Sequence, residues 1–185
     1  MRKILVIISL ACICFFSISS LAFSAVDITL FLTGIDGESM IDGHEDEIDV
    51  LSLSSIISNP NNSIVDRGRG EPVIIEPLLI TKYVDEASPY LFLAVLNGVV
   101  IQEAILTVRK AGENPVDYLI IKMSDVRIKD VSNDGEGGAD RLTEKVTLVF
   151  SNICYAYTPQ KDDGSPDATI TKCWNVETNR EIDPF

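Results

Sequence analysis

The segment Val99-Val100-Ile101-Gln102-Glu103-Ala104-Ile105-Leu106-Thr107-Val108-Arg109-Lys110 alternates apolar and polar residues over twelve positions, with Val100, Ala104, Leu106 and Val108 on one side. A period of two is the signature of a half-buried strand, whereas a helix would repeat its apolar residues every three or four. Gly112-Glu113-Asn114-Pro115 then marks a turn, and Val116 to Met123 resumes the apolar pattern. The two segments predict a β-hairpin.

Working outward, the same period recurs through most of the chain. Ile28, Leu30 and Leu32 share one face of a first strand, Ile48 to Ile57 makes a second, and Val73 to Tyr83 a third. Further strands are expected at Val126 to Val131, Leu142 to Phe150, Asn152 to Thr158 and Ile170 to Val176. About nine strands at such spacing predict a barrel or sandwich. One segment departs from the pattern. Ser88-Pro89 opens it with a capping serine and a proline at the first helical position, and Asn97-Gly98 closes it. It reads as one short helix, apolar nearly all round and therefore packed against the barrel. Three long loops remain: Gly34 to Glu47, which is acidic, Asn59 to Pro72, and the glycine-rich Val131 to Asp140. Long loops on a rigid β scaffold are where contacts with other molecules are expected.

The N-terminus has the make-up of an export signal. Arg2 and Lys3 precede an apolar run from Ile4 to Phe16, and Ala22-Phe23-Ser24 supplies small residues ahead of a cleavage point between Ser24 and Ala25. An uncleaved anchor is the alternative, since residues 4–25 have the length to span a bilayer. Four serines in their second half weigh against it. Residues 25–185 then form one domain of 161 residues, because 24 of the 185 are removed. Its formal charge moves from −13 to −15, since Arg2 and Lys3 leave and no acid does. Such a surface repels phosphate backbones and anionic lipid, which excludes a nucleic-acid binder and leaves the signal as the only membrane contact.

Cys12 and Cys14 leave with the signal, so the mature chain keeps Cys154 and Cys173. Asp163-Gly164 lies midway between them, in a polar stretch from Pro159 to Asp167. A hairpin closing there would set the two cysteines opposite each other, and a disulfide is expected in an oxidising compartment. Two free thiols are the reading for a reducing one.

The chemistry-bearing residues do not assemble into a catalytic or metal site. His44 lies in Asp42-Gly43-His44-Glu45-Asp46-Glu47 and is the only histidine, so ordinary zinc geometries would need ligands from distant loops. A solvated loop histidine, or one paired with a neighbouring subunit, is expected instead. Asp134, Glu136 and Asp140 lack the spacing of a twelve-residue calcium loop and read as a flexible acidic loop. Arg67 and Arg69 are too few for a nucleic-acid footprint in so acidic a chain, and read as a turn or as a docking point for an acidic loop. No serine sits in a nucleophile elbow, and the histidine is far in sequence from both mature cysteines. The sequence therefore predicts no enzyme and no cofactor.

Nine segments, in order, carry a family resemblance: Gly37-Glu38-Ser39; His44 with Glu47-Ile48-Asp49-Val50-Leu51; Thr81-Lys82-Tyr83-Val84-Asp85; Ser88-Pro89; Thr107-Val108-Arg109-Lys110-Ala111-Gly112; Tyr118-Leu119-Ile120-Ile121; Asp140-Arg141-Leu142-Thr143-Glu144; Tyr157-Thr158-Pro159-Gln160; and Trp174-Asn175. From Ala25-Val26-Asp27 onward the chain resembles the Hcp family, the tube subunits of type VI secretion. The resemblance implies a two-sheet β-barrel with one helix, assembled with itself as a hexameric ring. It further implies stacking into an inner tube, effectors carried in the lumen, and contacts with other type VI components. The loop residues Asp42, His44, Glu45, Glu47, Arg67, Arg69, Asp134, Glu136, Asp140 and Arg141 become candidates for contacts within or between rings. The signal and the cysteine pair lie outside the family pattern. Both fit a chain that is secreted or periplasmic after cleavage, including a free-standing ring or binding module, whereas an unused signal would leave it to cytoplasmic tube assembly.

Overall fold

The computed structural model describes residues 26–60, 72–112, 115–135, 137–138 and 140–185. The export signal with Ser24 and Ala25, both arginines Arg67 and Arg69, the turn residues Glu113 and Asn114, and Glu136 lie outside the described residues. In chain order the strands are β1 (Val26–Leu32), β2 (Ile48–Asp49), β3 (Ser52–Ser54), β4 (Ile57–Ser58), β5 (Ile74–Ile75) and β6 (Leu78–Tyr83). The helix α1 (Ser88–Asn97) follows, then β7 (Ile101–Lys110), β8 (Val116–Asp134), β9 (Thr143–Val149), β10 (Asn152–Tyr157), β11 (Ile170–Asn175) and β12 (Arg180–Ile182).

The expected hairpin is the centre of the molecule. β7 and β8 pair antiparallel with Ala104 opposite Met123, Leu106 opposite Ile121 and Val108 opposite Leu119. Ala104, Leu106, Ile121 and Met123 are buried in the core. Val100, expected on that face, precedes the strand and is exposed. The strands expected at Val116 to Met123 and Val126 to Val131 are one strand, β8, which serves two sheets. Its first half pairs with β10 up to Ser124, and its second half pairs with β9 from Arg127 onward. Between them Asp125 adopts φ 53°, a left-handed conformation that an aspartate tolerates better than most residues. One extra residue there switches the buried set from Ile121 and Met123 to Val126 and Ile128, so both halves of the strand face the core.

One sheet therefore runs β12-β11-β10-β8-β7-β1-β2, and the second pairs β3, β6, β9 and the distal half of β8. Among the described residues the hydrogen-bonded path is open at both ends, so the expected two-sheet, mainly β class holds but the sheets do not close into a barrel. The second expected strand breaks for the same reason of serving both sheets. Val50 N–H donates to Ile28 O, and the next residue, Leu51, donates to Thr81 O. The third breaks at Glu76-Pro77, where proline has no N–H for a ladder. Leu30, Leu32, Ile48, Ile80, Leu148 and Leu91 fill the space between the sheets.

The helix has the expected bounds but differs in its N-cap and in what its surface meets. Gly98 closes it with φ 59° and donates its N–H to Ala94 O at 3.0 Å. At the start no side chain caps the helix, because the Ser88 hydroxyl is used elsewhere. Only Leu91 and Ala94 are buried. Phe92 and Leu96 are 61% and 66% exposed, and Tyr90, Leu93, Val99 and Val100 are exposed with them. The expectation of a helix packed all round is overturned within a single chain. Its narrow buried stripe meets mainly β8, and among the described residues the outer side is left exposed.

Candidate functional site

Two charged clusters fix the surfaces that the sequence marks for contact. The first lies where β6 runs into α1. Lys82 is fully buried, and its ammonium donates to Asp85 Oδ1 at 2.5 Å, to Glu144 Oε1 at 2.8 Å and to Tyr83 O at 2.7 Å. Ser88 donates its hydroxyl proton to Glu144 Oε1 at 2.6 Å and accepts from Asp85 N–H at 3.1 Å. Asp85 Oδ1 also accepts Ala87 N–H at 2.9 Å. One cation thus serves two carboxylates, and hydroxyl and backbone donors satisfy the remainder. Four side chains from β6, the corner, α1 and β9 are locked together, which orients the helix.

The second cluster seats the acidic loop 34–47 on the first sheet. His44 is 9% exposed, with Nδ1 at 2.9 Å from Glu47 Oε1 and Nε2 at 3.3 Å from Asp117 Oδ2. Asp117 in turn accepts two hydrogen bonds from Arg109, at 2.5 Å from Nε and 3.1 Å from Nη2, and Arg109 Nη1 donates to Asp42 O at 2.5 Å. Burial works against ionisation of Asp117, but the Arg109 hydrogen bonds and charge, followed by His44, outweigh it and lower its pKa. The same hydrogen bond to Asp117 raises the Arg109 pKa against the opposing effect of burial. Both imidazole nitrogens face carboxylates, Glu47 on one side and Asp117 on the other. His44 is therefore not a solvated loop residue; it is a buried clasp within its own chain. Gly37 permits the loop's tight return, since a Cβ there would stand 2.5 Å from Glu47 O and 2.7 Å from Ile48 Cα.

The other expected contact residues are dispersed. Asp42 and Glu45 are exposed on the acidic loop, and Glu47 is partly buried beside His44. Asp134 and Asp140 are exposed at the glycine-rich loop, and Asp134 pairs weakly with Lys145 at 3.5 Å. Arg141 lies 4.7 Å from the Tyr83 ring and 3.6 Å from Glu38, which ties that loop towards the acidic one. Sequence reasoning gave Ser88 only a helix-capping role and gave none to Lys82, Asp85, Arg109, Asp117 or Glu144. The local signal was the spacing Lys82-x-x-Asp85-x-x-Ser88 across a strand-to-helix corner. Among the described residues, no group of three or more His, Cys, Asp or Glu is placed to hold a metal ion. No helix among them is long and apolar enough to cross a membrane.

Cys154 and Cys173 are bonded, and stand opposite each other on β10 and β11 with Cα atoms 4.0 Å apart. The expected symmetry about Asp163-Gly164 is the observed register, with Asn152 opposite Asn175 and Tyr157 opposite Ile170.

Two open sheets sharing one bent strand, with a flanking helix whose outer side is apolar and exposed, define a mainly β, two-sheet class of protein. The family model described as type VI secretion system effector, Hcp, matches residues 29–157. Protein hcp1 of Pseudomonas aeruginosa is 42% identical over 158 residues, covering 84% of this chain and 98% of that one. The crystal structure of Hcp1 from Salmonella typhimurium superposes with a TM-score of 0.71 at 38% identity, covering 85% and 99% of the two chains. A type VI secretion system effector from Yersinia pestis does so with a TM-score of 0.67 at 27% identity, covering 81% of this chain and 100% of the other. The chain belongs to the Hcp family of type VI secretion proteins.

Proposed function

We propose that this chain is a non-enzymatic ring subunit that associates with itself as a hexamer, stacks into a conduit and carries effectors in its lumen. The observation that carries the reading is the uncovered apolar side of α1. Tyr90, Phe92, Leu93 and Leu96, with Val99 and Val100 just beyond the helix, are all exposed, and so many large apolar residues close together in sequence are seldom left open on soluble monomers. The Lys82 cluster holds the helix rigid, so the patch is presented preformed and little is lost in ordering it. The residues Asp42, Glu45, Asp134, Asp140 and Arg141, with Arg67, Arg69 and Glu136, are assigned to the contacts within and between rings. The test is light scattering on the mature chain and on its Phe92→Asp and Leu96→Asp variants. Hexamers that fall to folded monomers in either variant support the reading. Hexamers that survive both, or a wild-type monomer at high concentration, contradict it.

A second reading is favoured by the N-terminal signal and the disulfide: a ring exported independently, acting as a free-standing binding module. β1 is described from Val26 onward, next to the expected cleavage between Ser24 and Ala25. Stacking separates the two readings. A tube requires both ring faces to be complementary, and a module requires only one.

A further inference from the structure

The disulfide lies on the opposite side of the sheet from the core. Ile153 and Trp174, directly opposite each other, belong to the core cluster or pack against it. By strand alternation Cys154 and Cys173 face away from it, and neither belongs to that cluster. Yet each is only 3% exposed. The groups around them in register come from the central strand and from the end of the chain. Ile182 of β12 stands opposite Cys173, and Lys122 of β8 stands opposite Cys154. The ring of the C-terminal residue, Phe185, lies 5.5 Å from Lys122 Nζ, and that ammonium is paired with Glu103 at 2.7 Å. Ile182 beside Cys173, and Phe185 near the Lys122 that stands opposite Cys154, thus flank the bond on that side of the sheet.

We infer that this bond is made before β12 and the C-terminal residues settle beside it, so that the folded protein is the product of thiol–disulfide exchange on an incompletely folded chain. Exchange requires a thiolate to reach an external disulfide sulfur. Each cysteine is only 3% exposed, so in a folded, reduced chain neither sulfur would be open to an external disulfide. A chain that folded while reduced would therefore seal two adjacent thiols away from any oxidant. In the reaction, one cysteine thiolate attacks the disulfide of the oxidant, forming a mixed disulfide and releasing one oxidant thiol. The second thiolate then displaces the oxidant, which leaves as a dithiol. Two electrons pass to the oxidant, and the two cysteine protons are taken up by its thiols. The class of reaction that must precede folding is oxidation by a disulfide-bearing partner. A chain whose N-terminal signal delivers it unfolded into an oxidising compartment meets that partner at the right moment. The inference does not depend on the ring reading.

The experiment starts from the denatured, reduced mature chain. Oxidised glutathione is added either at the start of refolding or after refolding is complete, and bond formation is followed by maleimide quenching and intact mass. Oxidation at least about tenfold slower in the pre-folded chain is expected from loss of thiolate access. Failure of the reduced chain to fold without oxidant would equally support the order proposed. Equal rates in the two arms would overturn it. The double variant Ile182→Ala with Phe185→Ala is expected to speed oxidation of the pre-folded chain, and no acceleration would count against the role of these flanking residues. Oligomeric state measured on the same samples reports separately on the ring.

Discussion

Lys82 is the residue on which the orientation of the helix rests. Its ammonium is fully buried between Asp85 and Glu144, and removing one partner of such a group leaves uncompensated charge in a dry site. Lys82→Met is expected to lower unfolding free energy by about 3–5 kcal/mol, read from urea midpoints, and a loss under about 1 kcal/mol would contradict the burial described. The Lys82-Asp85-Ser88 spacing was legible in the sequence. Glu144 was not, because it is brought in from 62 positions away by the pairing of β6 with β9. Asp117 makes the second residue-scale prediction. Its folded pKa is lowered, after burial, by Arg109 and His44. The stability it contributes is therefore present above the ordinary aspartate range and is lost as pH falls through the lower folded value. Asp117→Asn is expected to flatten the decline of the urea midpoint at acidic pH and to weaken the protein near neutrality. An unchanged acid slope would show that the clasp is not proton-linked.

At the scale of elements, the β10–β11 pair was the most legible part of the chain, since its register follows from the position of a single turn. The disulfide closes a loop with a sequence separation of 19. Replacing both cysteines with alanine is expected to cost about 3 kcal/mol, measured by denaturant unfolding, and a change below about 1 kcal/mol would mean the hairpin is held by its neighbours alone. β8 was misread as two strands because Ser124-Asp125 has turn character. A left-handed residue inside a strand bends it between sheets without ending it, and alternation alone does not distinguish the two. The breaks in the second and third strands have the same origin: the sequence shows which residues favour extended chain, but not which sheet each will join. α1 was placed correctly and its surroundings were not. Apolar content reports that a surface avoids water, whether the covering partner is the same chain or another. The acidic loop adds a prediction of its own. Gly37→Ala forces a Cβ against Glu47 O and Ile48 Cα, and a loss of about 1–3 kcal/mol is expected from such overpacking. Wild-type stability would contradict the close return.

For the whole molecule, both ends of the first sheet are short, with β2 and β12 only two and three residues long. Such edges discourage uncontrolled strand addition, and the formal charge of −13 gives like-charge repulsion between copies. Against that background a large apolar patch on a rigid helix is specific, and self-association through it is the central claim. Native mass spectrometry of the mature chain from its own host, before and after reduction, tests that claim most directly. The account predicts a hexamer of chains that begin at Ala25 and carry one disulfide each. A monomer at high concentration would contradict it.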